Sequence, residues 1–298
     1  MAIKELKIDI KPKLRKLDTY ARREVLSKSL EGEMSTAFKG RGIEFAGFRK
    51  YLFGDDAKLI DWKASRRSND TLIREFEEYR NTTIHFLFDV SDSMLFSSTN
   101  KLKVEYAAEL IYVLADAMLK SGDQIGLSMF NEDIIVNQYP GMGAQVLSSL
   151  EKNLLNPNNY GGNKDLRKAL ILTKSLLKER AVIVLVSDML GVPKNWEMYV
   201  KMLGEKFELI NIMILDPVDL ELPKIQGRFM VKNPYENENM LISTHQFRLK
   251  YYEENLKRIN YIKTTLKKSK GDCLVLKTDE EPIQSVIKFF NRRSKRPQ

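Results

Sequence analysis

Apolar residues along this chain gather in short runs separated by longer amphipathic stretches. Thr83-Ile-His-Phe-Leu-Phe-Asp89 is almost continuously apolar and rich in aromatic and β-branched residues, the pattern of a strand covered on both faces. Runs of the same kind recur at 124–130, 181–186, 209–215 and 273–276. Between them, apolar positions return at helical spacing over 103–120, 164–180, 195–206 and 244–268. Buried strands alternating with amphipathic helices predict an α/β fold, a doubly wound and mostly parallel sheet with helices on both faces. The 132–139 stretch follows its preceding strand too closely for a crossover helix, so it is expected to return as an antiparallel edge strand.

Ahead of this region the pattern is different. Leu14, Leu17, Tyr20, Ala21 and Val25 fall on one face of a charged helix expected over 13–30, and a Gly-punctuated stretch follows from Gly40 to Arg80. The expected organisation is an N-terminal accessory segment over 1–80, an α/β domain over 81–290 and a disordered basic tail, NRRSKRPQ, over 291–298.

Composition narrows the chemistry. One cysteine, Cys273, and two histidines, His85 and His245, leave no ligand set for a structural zinc site and no disulfide. The start, MAIKELKIDI, carries charges where a signal peptide needs an apolar stretch, and no apolar run reaches the roughly 18 to 20 residues that span a bilayer, so a reduced, cytoplasmic setting is expected. The net charge of +9 sits at the ends: residues 1–30 carry nine Lys or Arg against four acids, and 286–298 carry five against none. A nucleic-acid-binding face would spread across the folded body instead.

Ligands of open α/β sheets bind beyond the carboxyl ends of the strands. The first run ends in Asp89-Val-Ser91-Asp-Ser93, which aligns a carboxylate and two hydroxyls on alternate positions. The 181–186 run ends in Ser187-Asp188, and Tyr160-Gly-Gly-Asn-Lys-Asp165 forms a polar loop before a helix. Hard oxygen donors without soft ligands suit Mg²⁺, or Mn²⁺. These residues resemble the metal-ion-dependent adhesion site of the von Willebrand factor A fold, whose pattern is Asp-x-Ser-x-Ser, a Thr in the second loop and an Asp in the third. The resemblance implies a metal site of Asp89, Ser91, Ser93 and Asp188. In place of the Thr, the loop is one residue longer and lacks the hydroxyl; Asn163 would offer its amide oxygen, and Lys164 places a cation beside the ion.

A second resemblance covers more of the chain. Gly42-Ile-Glu-Phe45, Arg49-Lys-Tyr51, Gly54-Asp55-Asp56, Ile60-Asp61-Trp62 and Ala64-Ser-Arg66, followed by Arg74-Glu-Phe76-Glu and the Asp89 loop, are similar in order and spacing to the family called domain of unknown function 58. Phe53 stands where Pro is common in that family and Lys58 where Arg is common. The resemblance implies an adaptor or co-chaperone partner of a MoxR-type AAA+ ATPase, with Gly54, Asp55, Asp61, Trp62 and Arg66 as an interaction motif. The plainer expectation for that stretch is a structural turn, with Trp62 packed on the core and Asp61 pairing with Arg66 or capping a helix. His85, inside an apolar strand, is expected to be a packed core residue.

Enzyme signatures are missing. A phosphatase of the haloacid dehalogenase kind needs a second Asp two residues after the first, where Ser91 stands. Phosphate-loop, dinucleotide and nucleophile-elbow motifs do not occur. The expected function is therefore a non-catalytic interaction module in which an Mg²⁺ ion binds a partner's carboxylate. Its rivals are a metal-dependent phosphoester hydrolase and a nucleic-acid or membrane-surface binder acting through the basic ends.

Overall fold

The computed structural model describes residues 6–8, 41–52, 55–68, 70–79, 82–177, 181–223, 228–232 and 239–294. The helix expected over 13–30, Gly54 and residues 295–298 lie outside them. In chain order the elements are β1 (Arg41–Lys50), α1 (Trp62–Ser68), β2 (Leu72–Tyr79), β3 (Thr83–Asp89), α2 (Lys103–Lys120), β4 (Gln124–Phe130), β5 (Ile134–Gly141), α3 (Ala144–Leu155) and α4 (Leu166–Leu176). They continue with β6 (Ala181–Ser187), α5 (Trp196–Gly204), β7 (Glu208–Leu215), α6 (Pro217–Leu220), β8 (Arg228–Lys232), β9 (Asn239–Ser243), α7 (Thr244–Lys268), β10 (Asp272–Lys277) and α8 (Pro282–Ser294).

A six-stranded sheet in the order β10-β7-β6-β3-β4-β5 forms the centre. All its pairings are parallel except that of β5, which returns antiparallel to β4 as its short connection requires. The two-residue period of the strands sorts the apolar side chains onto two faces. Ile84, Phe86 and Phe88 of β3, Val182, Val184 and Val186 of β6, and Ile210, Ile212 and Ile214 of β7 pack beneath α2, α3 and α8. Their alternates Leu87, Ile183, Leu185, Leu209, Met213 and Leu215 pack beneath α4, α5 and α7. Each fully buried side chain of this size contributes about 1.5–3 kcal/mol, so both faces need their covering helices. His85 is buried as expected; its Nε2 lies 2.8 Å from Ser128 Oγ, and burial lowers its pKa to about 4.

Two longer helices, α3 and α8, and two short ones, α1 and α6, fall where no periodic pattern stood out. α8 runs on through Asn291, Arg292, Arg293 and Ser294, residues expected to belong to the tail, and Arg293 pairs with Glu208 and Asp272 at the sheet edge. No helix among the described residues is long and apolar enough to cross a membrane.

β3 lies between β4 and β6, with later strands added outward on the β6 side. The connections therefore diverge at the β3/β6 boundary, and a crevice is expected at the carboxyl ends of those two strands.

Candidate functional site

Asp89 is the last residue of β3 and faces the same side as Leu87. The chain then turns sharply, because Ser91 caps a short 3₁₀ turn over Asp92–Leu95 through the 2.9 Å bond from Met94 N to its carbonyl. Asp89 Oδ1 accepts from Ser91 N at 3.1 Å and Ser91 Oγ at 2.6 Å, while Oδ2 accepts from Ser187 Oγ at 2.6 Å. Ser93 Oγ stands 3.3 Å from Ser91 Oγ. Asp188 follows directly after β6.

The second loop is pinned onto this turn. Gly161 N donates to Val90 O at 2.7 Å, Asp92 N to Gly162 O at 2.9 Å, and Asn131 Nδ2 to Gly161 O at 2.7 Å. Both glycines have left-handed backbones, φ +106° and +94°, and a Cβ on Gly162 would meet Asn131 Nδ2 at 2.7 Å. From that fixed point the chain turns Asn163 to solvent and Lys164 inward. The Lys164 ammonium lies 2.8 Å from Asp89 Oδ2 and 2.7 Å from Asp188 Oδ1.

A second lysine extends the arrangement. Lys103, the first residue of α2, is wholly buried, with its ammonium 2.9 Å from Asp188 Oδ2 and 2.9 Å from Asp219 Oδ2. Asp219 lies in α6, where its Oδ2 also accepts from Asp216 N at 2.9 Å. The result is a ladder, Asp89–Lys164–Asp188–Lys103–Asp219, that ties the ends of β3, β6 and β7 together. Burial by itself pushes the pKa of Lys164 down, but the flanking Asp89 and Asp188 carboxylates outweigh it and raise it above the usual lysine range. The balance at Lys103 is the same, with Asp188 and Asp219 as its anions. Burial would push Asp188 up, yet Lys164 and Lys103 hold it well below the usual carboxylate range. Arg258 of α7 brings a third cation near Asp219 and Asp188, and its buried guanidinium nitrogens have no hydrogen-bond partner among the described residues.

Four of the five residues expected to ligate an ion, Asp89, Ser91, Ser93 and Asp188, come together; exposed Asn163 does not join them. The residue aimed at the carboxylates is the next one, Lys164. Ser91 Oγ, Ser91 N, Ser187 Oγ and Lys164 already supply Asp89 with the four donors a carboxylate accommodates. This donor set does not fit Mg²⁺ or Mn²⁺, since an ion bound to both carboxylates would need the volume that the ammonium fills. Among the described residues no group of three or more His, Cys, Asp or Glu is arranged to hold a metal ion. Sequence reasoning noted Ser187 at its strand end without giving it a role, and missed Lys103 and Asp219. Asp216-Pro-Val-Asp219 carried the same signal as the other strand ends, whereas nothing local distinguished Lys103 from a solvated helix lysine.

The described part of the expected interaction motif, Asp55 to Arg66, lies in the connection between β1 and β2. Arg49 grips Asp55 with two bonds of 2.7 and 2.8 Å, and Leu52 N adds a third at 2.8 Å; these bonds lower the Asp55 pKa to about 2. Asp61 Oδ1 caps α1 by accepting from Lys63 N and Ala64 N at 3.0 Å each, as expected. Ser65 Oγ accepts from Leu72 N at 2.8 Å and joins α1 to β2. One expectation for this stretch is corrected: Trp62 does not pack on the core but is 66% exposed. It is the first residue of α1, in the connection of the separate β1/β2 hairpin. Arg66 is exposed as well.

The family model described as protein of unknown function DUF58 matches residues 47–260. The chain belongs to the DUF58 family. An uncharacterized protein of Mycobacterium tuberculosis is 25% identical to this DUF58 chain over 198 residues, covering 66% of the chain and 62% of the relative. The chain thus spans less than two thirds of the length of that relative. Among solved structures, the conserved hypothetical protein BatB of Bacteroides thetaiotaomicron is similar with a TM-score of 0.44 and 14% identity, over 72% of this chain and 100% of that one. The VWA domain of SpRpn10 has a TM-score of 0.40 and 12% identity, over 70% and 94%. A mussel byssus protein, proximal thread matrix protein 1 with a zinc-occupied MIDAS motif, has a TM-score of 0.41 and 16% identity, over 72% and 48%. The sheet of this DUF58 chain is mixed and mostly parallel and lies between helices, the α/β architecture expected from the sequence.

Proposed function

We propose that this DUF58 chain is a non-catalytic protein-interaction module, an adaptor for a MoxR-type AAA+ ATPase in the cytoplasm, and that the turn of the β1/β2 hairpin is its contact region. The observation that supports this reading is the exposure of large apolar side chains on a turn held rigid by Asp55 and Asp61. Trp62 and Leu52 are each 66% exposed there, and Phe48 and Leu59 are exposed beside them in sequence. Exposed Lys58, Lys63, Arg66 and Arg67 accompany them. Tryptophan and arginine are the side chains that most often anchor protein interfaces, and a basic rim favours an acidic partner surface. The Mg²⁺–carboxylate contact expected from the sequence has no part in this function, because Lys164 stands between the carboxylates that would hold the ion.

The test is recovery of the purified ATPase on immobilised chain, comparing wild type with the Leu52→Ser/Trp62→Ser double variant, each with and without chelator. The double variant is expected to bind roughly tenfold more weakly or worse, and chelator to change nothing. Equal recovery by wild type and variant refutes the hairpin as the contact. Absence of binding by the wild type refutes the ATPase as the partner.

A further inference from the structure

At the carboxyl edge of the sheet, the arrangement that in the sequence pattern points to a divalent ion already contains a cation. We infer that Lys164 is the resident cation of this site, taking the place of a metal ion, and that its ammonium is what keeps a divalent ion out. This inference stands independently of the partner proposed above.

Three features carry it. The first is position: Lys164 Nζ is 2.8 Å from Asp89 Oδ2 and 2.7 Å from Asp188 Oδ1, bridging the two carboxylates from separate strands as an ion would. Its side chain is only 7% exposed. The second is the loop that delivers it. Gly161 and Gly162 are clamped to Val90, Asp92 and Asn131, and Asp165 N donates to Asn131 O at 2.9 Å, so the backbone on both sides of Lys164 is held. With one residue more than the pattern calls for, the loop turns Asn163 outward and spends its inward position on the ammonium.

The third feature is charge. Asp89, Asp188 and Asp219 meet Lys164 and Lys103 directly, and Arg258 approaches from α7. The two ammonium groups, with the Arg258 guanidinium nearby, offset the three carboxylates of the ladder and so weaken their draw on a divalent ion. Ser91 donates its hydroxyl proton to Asp89, and Leu190 N donates to Asp188 Oδ1 at 3.0 Å beside the two lysines, so Asp89 has four donors and Asp188 three. A tethered cation of this kind cannot dissociate. The site has no vacant coordination position for a partner's carboxylate, and its geometry is the same at every metal concentration.

The test is titration of the purified chain with Mn²⁺, followed by the electron paramagnetic resonance signal of the free ion, with thermal unfolding in Mg²⁺ as a second readout. Wild type is expected to bind no stoichiometric Mn²⁺ and to show no Mg²⁺-dependent rise in unfolding temperature. Lys164→Thr, which removes the ammonium and supplies a hydroxyl, is expected to bind one Mn²⁺ per chain and to be stabilised by Mg²⁺. Lys164→Arg keeps the charge and is expected to behave as wild type. One Mn²⁺ bound by wild type and lost in Asp188→Asn overturns the inference without need of any Lys164 variant. A folded Lys164→Thr that binds no Mn²⁺ overturns the claim that the ammonium is the excluding group. Both readouts use the chain alone, so the fate of the ATPase contact does not enter.

Discussion

Lys103→Met isolates the buried charge ladder from everything else in the molecule. Methionine follows a similar path through the core, so little cavity is created, but both bonds of 2.9 Å to Asp188 and Asp219 disappear. Among the described residues, Asp188 Oδ2 then has no donor and Asp219 Oδ2 retains only Asp216 N. Removing one partner from a fully buried pair costs about 3–5 kcal/mol, because the remaining charge is left uncompensated. With a urea m-value of about 3 kcal/mol/M, the unfolding midpoint should fall by roughly 1–2 M at pH 7. Buried Trp196 provides the fluorescence signal. The double variant Lys103→Met/Asp219→Asn should be less destabilised than the two single effects summed, by about 1–3 kcal/mol.

The pH dependence has a defined sign. In wild type the depressed pKa of Asp188 contributes stability that is present above its ordinary value of 3.8 and lost as pH falls through its lower folded value. Without Lys103, burial is opposed by one lysine fewer, so the folded pKa of Asp188 rises and part of the penalty is relieved by protonation as pH falls. The gap between wild type and variant should therefore be widest near pH 7 and narrow toward acid pH. A Lys103→Met chain within about 0.5 kcal/mol of wild type at pH 7 would refute the reasoning, since that is the range of an uninvolved surface change.

Two further outcomes follow from single positions. His85 has a folded pKa of about 4 against an ordinary 6.5, so its contribution is present above pH 6.5 and lost as pH falls toward 4. Urea midpoints should drop over that interval by the equivalent of about 3 kcal/mol at most, and His85→Leu should flatten the dependence. An unchanged slope in that variant assigns the acid sensitivity elsewhere. Gly162→Ala places a Cβ 2.7 Å from Asn131 Nδ2 at φ +94°; unfolding should become easier by about 1–3 kcal/mol, and a chain of wild-type stability would contradict the strained backbone at that position.

Local pattern was enough to locate the five parallel strands; the four inner ones, buried on both faces, need an apolar residue at nearly every position, a signal carried within seven residues. It was also enough to place Asp89, Ser91, Ser93 and Asp188 near one another, since polar residues that end adjacent parallel strands emerge at the same edge. The half-exposed helices α3 and α8 gave a weaker signal, and the helix of α8 ran on into residues whose charge alone suggested a tail. Asp61 as a helix cap was legible for the same reason as the strands, the bond closing within three residues.

Pairing between distant segments was not legible. Lys103 meets Asp219 across 116 positions and Asp188 across 85, and those meetings depend on which strand lies beside which. No local periodicity encodes that order. Whether Asn163 or Lys164 faces the carboxylates is decided by the anchoring of Gly161 and Gly162 to Val90, Asp92 and Asn131, contacts made only once β3 and β4 are side by side. The exposure of Trp62 has the same origin: an indole is apolar in any sequence, but only the tertiary arrangement determines whether a face lies above it. The sequence by itself thus determined the strands, the faces and the edge at which the chemistry collects; the folded sheet decided that the cation at that edge is a lysine.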